Sequence, residues 1–267
     1  MDAQHDERQQ RFDTGEGHTD HPARREGRTR TRGFGARRLI CLTAVLAFAV
    51  VTVLAGAQRT PVQHRDVVAL QYTVNRIAVI GDSYTTGGEL GGLGASGWPA
   101  QAWRMLAAQG IATSADVGAE GGAGYGVRGN GGSLFEDLTA RTVKPDDRLV
   151  VFFGSRNDQH VDPTQFTILV YGTFQLARRL APSADFLVIG PPWPTADVPG
   201  TVVRIRDTLR YQARLAGATF IDPIALGWFV GKPELIGSDG VHPTDAGHTY
   251  MAEKIAPLIG AQLPRRI

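Results

Sequence analysis

The chain has 267 residues, 42% of them hydrophobic and 20% charged, with a formal net charge of +2. That composition supports one ordinary core and excludes a disordered, collagen-like or disulfide-stapled protein. Residues 1–38 hold 9 Arg against 7 Asp/Glu, so the remainder is neutral and offers no electrostatic reason for a nucleic-acid partner, while a single cysteine, Cys41, excludes an intrachain disulfide and a Cys-rich zinc site.

In chain order, residues 1–38 are polar and arginine-rich and are expected to form a disordered cytoplasmic tail. Residues 39–57 carry no charge, and as a helix they would span about 28 Å, close to a bilayer core. Arg24, Arg25, Arg28, Arg30, Arg32, Arg37 and Arg38 precede this run with only Glu26 opposing them. The arginines orient the N-terminus to the cytoplasm and the rest of the chain outside. The expectation is a single transmembrane anchor. The alternative is a removed signal sequence and a secreted product, since Ala55-Gly56-Ala57 resembles a cleavage site. Residues 58–74 read as a linker and 75–267 as the folded domain.

Within that domain, buried strands are expected at 76–80, 111–117, 148–153, 186–189 and 219–221. Helical spacing covers 99–109, 202–215 and 244–259. Asp162-Pro163 offers an N-cap and a preset first turn to a stripe of Phe166, Leu169, Val170, Thr173, Ala177 and Leu180. Alternating strand and helix predicts an α/β fold: three layers, α/β/α, around a parallel sheet of about five strands. Of the 33 glycines, 16 fall between Gly81 and Gly132. Together with Trp98 they suggest loops lining a pocket at the sheet's carboxyl edge.

Four segments carry chemistry. IAVIGDSYTTG (77–87) places Ser83 just beyond the first strand, where open α/β sheets hold ligands; Asp82 and Ser83 could equally serve as turn or cap residues. SDGVHPTDAGH (238–248) spaces Asp239 and His242 so that a carboxylate can fold back onto one imidazole nitrogen. The other nitrogen is then free to take a proton from a serine. His248 points to the inner face of the last helix and suits a structural role. VVFFGSRNDQ (150–159) ends a strand in glycine; Asn157 offers an amide to a developing oxyanion, and Asp158 suits the holding of backbone N–H groups. GAEGGAGYG (118–126) supplies a bare backbone N–H, from a glycine that chemistry alone does not single out.

These four blocks, over about residues 75–260, resemble the SGNH (GDSL-type) hydrolases. The resemblance implies the flavodoxin-like version of the fold and a nucleophile at Ser83, a base at His242 and a triad acid at Asp239. It implies an oxyanion hole of the Ser83 N–H, the Gly122 N–H and the Asn157 amide, with Gly121 the alternative to Gly122. One position departs from the family pattern: Ser155 stands where G-x-N-D has glycine, and Gly154 lies one earlier. Family members cleave acyl esters and thioesters of lipids and sugars without metal or organic cofactor, and some transfer the acyl group. An extracytoplasmic esterase acting on envelope glycans or lipids is therefore expected. Its rivals are an acyltransferase with the same triad, a metal-dependent phosphoesterase using Asp82, Asn157, Asp158, His242 and His248, and a non-catalytic envelope binding module. Trp98 and Trp193 are the candidate substrate contacts. Trp193 lies in the proline-rich stretch 190–200, where it could also plug the core edge.

Overall fold

The computed structural model describes residues 74–263. The expected tail, the apolar run 39–57 and nearly all of the linker lie outside them. Among the described residues no helix is long and apolar enough to cross a membrane.

Five strands, β1 (Asn75–Gly81), β2 (Thr113–Ala119), β3 (Leu149–Phe153), β4 (Asp185–Ile189) and β5 (Thr219–Ile221), form one sheet in the order β2-β1-β3-β4-β5. Every pairing is parallel. The helices are α1 (Ser83–Thr86), α2 (Trp98–Ala108), α3 (Phe135–Thr142), α4 (Pro163–Leu180), α5 (Gly200–Leu215) and α6 (Asp245–Gln262). Strand alternation sends β1 residues Ile77 and Val79 to one face, under α2 and α6. It sends Ala78 and Ile80 to the other, under α3, α4 and α5. Both faces are covered, so β3 reads Leu-Val-Val-Phe-Phe and is buried throughout.

Helix α4 starts as its sequence dictates: the Asp162 side chain accepts the Thr164 and Gln165 N–H groups at 3.0 and 2.9 Å, with Pro163 at the first helical position. Helix α3 was not expected. Its eight residues bury Phe135, Leu138, Thr139 and Thr142, a helical stripe set among glycines and charges.

The order reverses between β1 and β3. The chain goes from β1 to β2 on one side and only then crosses to β3 on the other. In register, Gly81 pairs with Phe153, so the loops after β1 and β3 leave the sheet side by side. That crevice is where parallel α/β sheets bind ligands.

Candidate active site

Ser83 is the first residue of α1, a single turn closing on Gly87 at φ +69°. Asp82 makes the turn rigid. Its Oδ1 accepts the Tyr84 N–H at 2.9 Å and its Oδ2 the Ser155 N–H at 3.2 Å. Gly81 is required here, since a Cβ would lie 2.2 Å from Thr85 Oγ1. Asp82 is fully buried, and burial pushes its carboxyl up to about 6 against the pull of those two N–H groups and Arg156.

The loop before α6 brings in His242, the candidate base. A short antiparallel bridge pins it: the Gly237 N–H donates to His242 O at 2.7 Å, and the Thr244 N–H to Leu235 O at 2.9 Å. Within the loop, Asp239 Oδ1 accepts the Val241 and His242 N–H groups, both at 2.9 Å. Its Oδ2 lies 2.6 Å from His242 Nδ1, and His242 Nε2 lies 3.1 Å from Ser83 Oγ. A carboxylate at Nδ1 fixes the proton there and leaves the Nε2 lone pair facing the serine hydroxyl. Burial pushes the Asp239 carboxyl up, but bonds from the His242 ring and the two N–H groups outweigh it and bring it down to about 2. His242 and Asp239 are 43% and 37% exposed at their side chains, so water reaches them.

One link here was not read from the sequence. Tyr84 is fully buried, and its hydroxyl donates to Val241 O, tying α1 to the histidine loop 157 residues later. Its ring centroid lies 6.4 Å from that of His242. An aromatic residue with a polar tip directly after Ser83 was the available signal.

The loop after β3 resolves the departure noted above. Gly154 sits at φ +131°, and a Cβ there would lie 2.4 Å from Asp82 Oδ2. Ser155 sits at φ +89°, the left-handed backbone that explains a glycine at this position. Its Oγ donates to Asp158 Oδ2 at 2.8 Å. Asp158 also accepts the Tyr125, Gly126 and Val127 N–H groups at 2.8–3.0 Å, and a Cβ on Gly124 would lie 2.4 Å from its carboxylate. Asp158 thus holds the second block in chain order, 118–126, against the third, 150–159. Asn157 Nδ2 donates to Ala123 O at 2.8 Å, which engages one of its two N–H bonds. Gly122 adopts φ +79°. The N–H groups of Ser83, Gly121 and Gly122 have no backbone or side-chain acceptor among the described residues.

The other candidates divide. Trp98 is not at the site: it is fully buried, edge-on to Phe153 at 5.9 Å, and its backbone N–H donates to His248 Nδ1 at 3.3 Å. As the first residue of α2, followed by Pro99, it points into the core and not into the glycine-rich loop. Burial brings His248 down to about 4, and its ring fills the space a Gly92 side chain would need. Trp193 is half-buried, with Nε1 donating to Asp197 O at 2.9 Å. Beside it, a groove of about 460 Å³ runs between the 194–196 loop and the histidine loop, lined by Pro194, Phe229, Pro233, Ile236, Gly237 and Gly240 among others. No group of three or more His, Cys, Asp or Glu among the described residues is placed to hold a metal. The rival ligand set does not assemble, because Asp82 and Asp158 are turned onto N–H groups and His248 is fully buried with its Nδ1 bonded by the Trp98 backbone N–H.

Residues 79–250 match the GDSL-like lipase/acylhydrolase family. A GDSL lipase of Mycobacterium tuberculosis is 65% identical over 197 residues, covering 73% of this chain and 85% of that protein. The crystal structure of TesA superposes with a TM-score of 0.58 at 20% identity, over 71% of this chain and all of that one. A family two carbohydrate esterase of Clostridium thermocellum, solved with cellohexaose, gives 0.55 at 20% identity over 70% and 64%. The two superpositions support the fold; the family match and the close relative establish that the chain belongs to the GDSL-like lipase/acylhydrolase family and is a hydrolase of the esterase type.

Proposed function

We propose that the chain is a serine esterase in which Ser83, His242 and Asp239 act as nucleophile, base and orienting acid. The observation that carries this reading is the continuous line from Asp239 Oδ2 through both ring nitrogens to Ser83 Oγ, at 2.6 and 3.1 Å. His242 Nε2 takes the hydroxyl proton as Ser83 Oγ attacks the ester carbonyl. The developing oxyanion is held by the Ser83 N–H, the Gly122 N–H and the second N–H of Asn157, each contributing on the order of 3 kcal/mol if it acts like other oxyanion donors. His242 then protonates the leaving alcohol. Water, deprotonated by the same nitrogen, releases the acyl group. The exposure of His242 favours water as acceptor and so supports hydrolysis over transfer.

The apolar groove beside the histidine loop suits an acyl chain, in keeping with a close relative named a lipase. Residues 39–57 would hold the enzyme at the outer face of a membrane, within reach of acylated envelope lipids or glycans. Two experiments test the reading. A fluorophosphonate should label the protein and fail on Ser83→Ala, while para-nitrophenyl esters of increasing chain length should be cleaved with a preference set by the groove. An unlabelled but folded protein would point to a binding module instead. For placement, protease added to intact cells should digest the domain and spare a tag at Met1; a protected domain would overturn the topology.

A further inference from the structure

The described residues include four half-buried arginines, Arg76, Arg156, Arg178 and Arg206. Three are matched. Arg76 faces Asp116 and Asp146 at 2.8 and 3.1 Å, and Arg206 faces Asp207 and Asp222 at 2.7 and 3.1 Å. Arg178 donates to Ala184 O at 2.6 Å and covers the ring of Phe186. Arg156 differs. Where Arg178, also without a carboxylate, donates to backbone carbonyls, Arg156 pairs with no carboxylate among the described residues and makes one long hydrogen bond, from Nη1 to Tyr84 Oη at 3.3 Å. Its guanidinium lies 4.6 Å over the ring of Trp193, which is itself fixed by the bond to Asp197 O.

That arrangement holds a cation over an aromatic face and leaves most of its five N–H donors unused. The place matters as much as the charge. Arg156 directly precedes Asn157, and both of its neighbours adjoin residues that line the groove: Tyr84 packs edge-on against Phe229 at 6.3 Å, and Trp193 leads into Pro194. Asp82, the buried carboxylate on which Arg156 pulls, is engaged by the Tyr84 and Ser155 N–H groups and forms no ion pair with it, so the guanidinium's donors stay available to an anion from outside.

We propose that Arg156 binds an oxyanionic group, a phosphate or a carboxylate, carried by the ester substrate near the scissile bond, so that the enzyme selects anionic acyl esters over neutral ones. This rests on the esterase reading above. A planar fork stacked on Trp193 suits two-point recognition of such a group.

Two matched pairs of esters test it. Hexanoyl glycerol against hexanoyl glycerophosphate places the anion on the alcohol. Para-nitrophenyl hexanoate against para-nitrophenyl hydrogen adipate places it on the acyl chain. The readout is the ratio of kcat/KM for the anionic member to that for the neutral member. We expect a ratio of about ten or more in one pair, as for a charge-assisted contact, and the pair that shows it tells phosphate-bearing alcohol from carboxylate-bearing acyl group. Arg156→Met should bring that ratio near one, and Arg156→Lys, which keeps charge without the fork, should leave it in between. A ratio near one in both pairs for the unaltered protein overturns the proposal without any variant. So does a ratio that survives Arg156→Met, and its loss in Lys232→Met would assign the preference to the lysine that lines the groove. If no ester is cleaved and a fluorophosphonate fails to label Ser83, the esterase reading fails and takes this inference with it; cleavage without charge preference sinks the inference alone.

Discussion

The two sides of the site are built on opposite electrostatic terms. On the side of the proposed nucleophile, Asp82 and Asp158 are buried carboxylates that bond N–H groups and a hydroxyl and make no bond to Ser83 Oγ or the His242 ring. On the side of the proposed base, Asp239 is exposed and bonds the imidazole that faces Ser83 Oγ. Burial raises Asp82 to about 6, while its hydrogen bonds bring Asp239 down to about 2 despite the opposing pull of desolvation. The buried pair sets where the loops run, and the exposed acid sets which nitrogen holds a proton. Asp82, Asp158 and Asp239 each lie within three residues of a proposed site residue, yet only Asp239 bonds the imidazole.

The sharpest way to break this contrast is on the base side. Ser83→Ala and His242→Ala should each lower kcat by about 10⁴-fold or more, since nucleophile and base act as a unit. Asp239→Asn should cost on the order of 10⁴ through the wrong tautomer, with the melting temperature little changed. On the nucleophile side the balance should invert. Asp158→Ala strands three backbone N–H groups and the Ser155 hydroxyl, so it should cost about 3 kcal/mol of stability by denaturant titration. Asn157→Ala should fall between the two, with a roughly hundredfold lower kcat at similar KM and a small loss of stability from the Ala123 bond. A melting temperature that fell as far in Asp239→Asn as in Asp158→Ala would erase the distinction.

Acidification separates the buried groups from one another. His248 is held neutral, its value lowered from 6.5 to about 4 by burial. Between pH 6.5 and 4 the unfolded chain therefore takes up a proton that the folded chain refuses, and stability falls by about 3 kcal/mol. Asp82 acts in the opposite sense: from pH 6 down to about 3.8 the folded chain binds a proton the unfolded chain does not, and stability rises. In His248→Asn, whose side-chain oxygen can still accept the Trp98 N–H, the first effect disappears. The variant should lose about 3 kcal/mol less than the unaltered protein between pH 7 and 4. Equal losses would mean that the ring is charged or solvated in the fold. Tyr84→Phe should have a smaller effect, lowering kcat by about tenfold with KM unchanged as the histidine loop loosens; this is the loss of about one hydrogen bond's worth of positioning.

Much of this was legible in the chain. Strand alternation, the Asp162-Pro163 start and the loop positions of Ser83, Asn157, Asp239 and His242 follow from local pattern. What local pattern lacks is direction and partner. Trp98 read as a pocket residue because it follows a glycine run, but Gly97 turns the chain into α2 and aims the indole inward. Helix α3 was hidden because its stripe is short and sits in a glycine-rich stretch. Tyr84 and Arg156 escaped because their partners, Val241 and Trp193, lie far away in sequence and meet them only at the sheet's edge.

The smallest effect bears on how the buried side tolerates its one irregular residue. Ser155 holds φ +89° where a glycine would sit without strain, at a cost of roughly 1–2 kcal/mol for a side chain in that region. It keeps a hydroxyl bond to the buried Asp158 carboxylate, the kind of charge-assisted contact that contributes about 1.5–3 kcal/mol. Ser155→Gly removes both the strain and the bond, so the two nearly offset and stability should drop by about 1 kcal/mol. Ser155→Ala removes the bond and retains the strain, so it should be the less stable of the two by denaturant titration. If Ser155→Gly were instead more stable than the unaltered protein, the hydroxyl would be incidental, and three N–H groups alone would suffice to hold Asp158 against the second block.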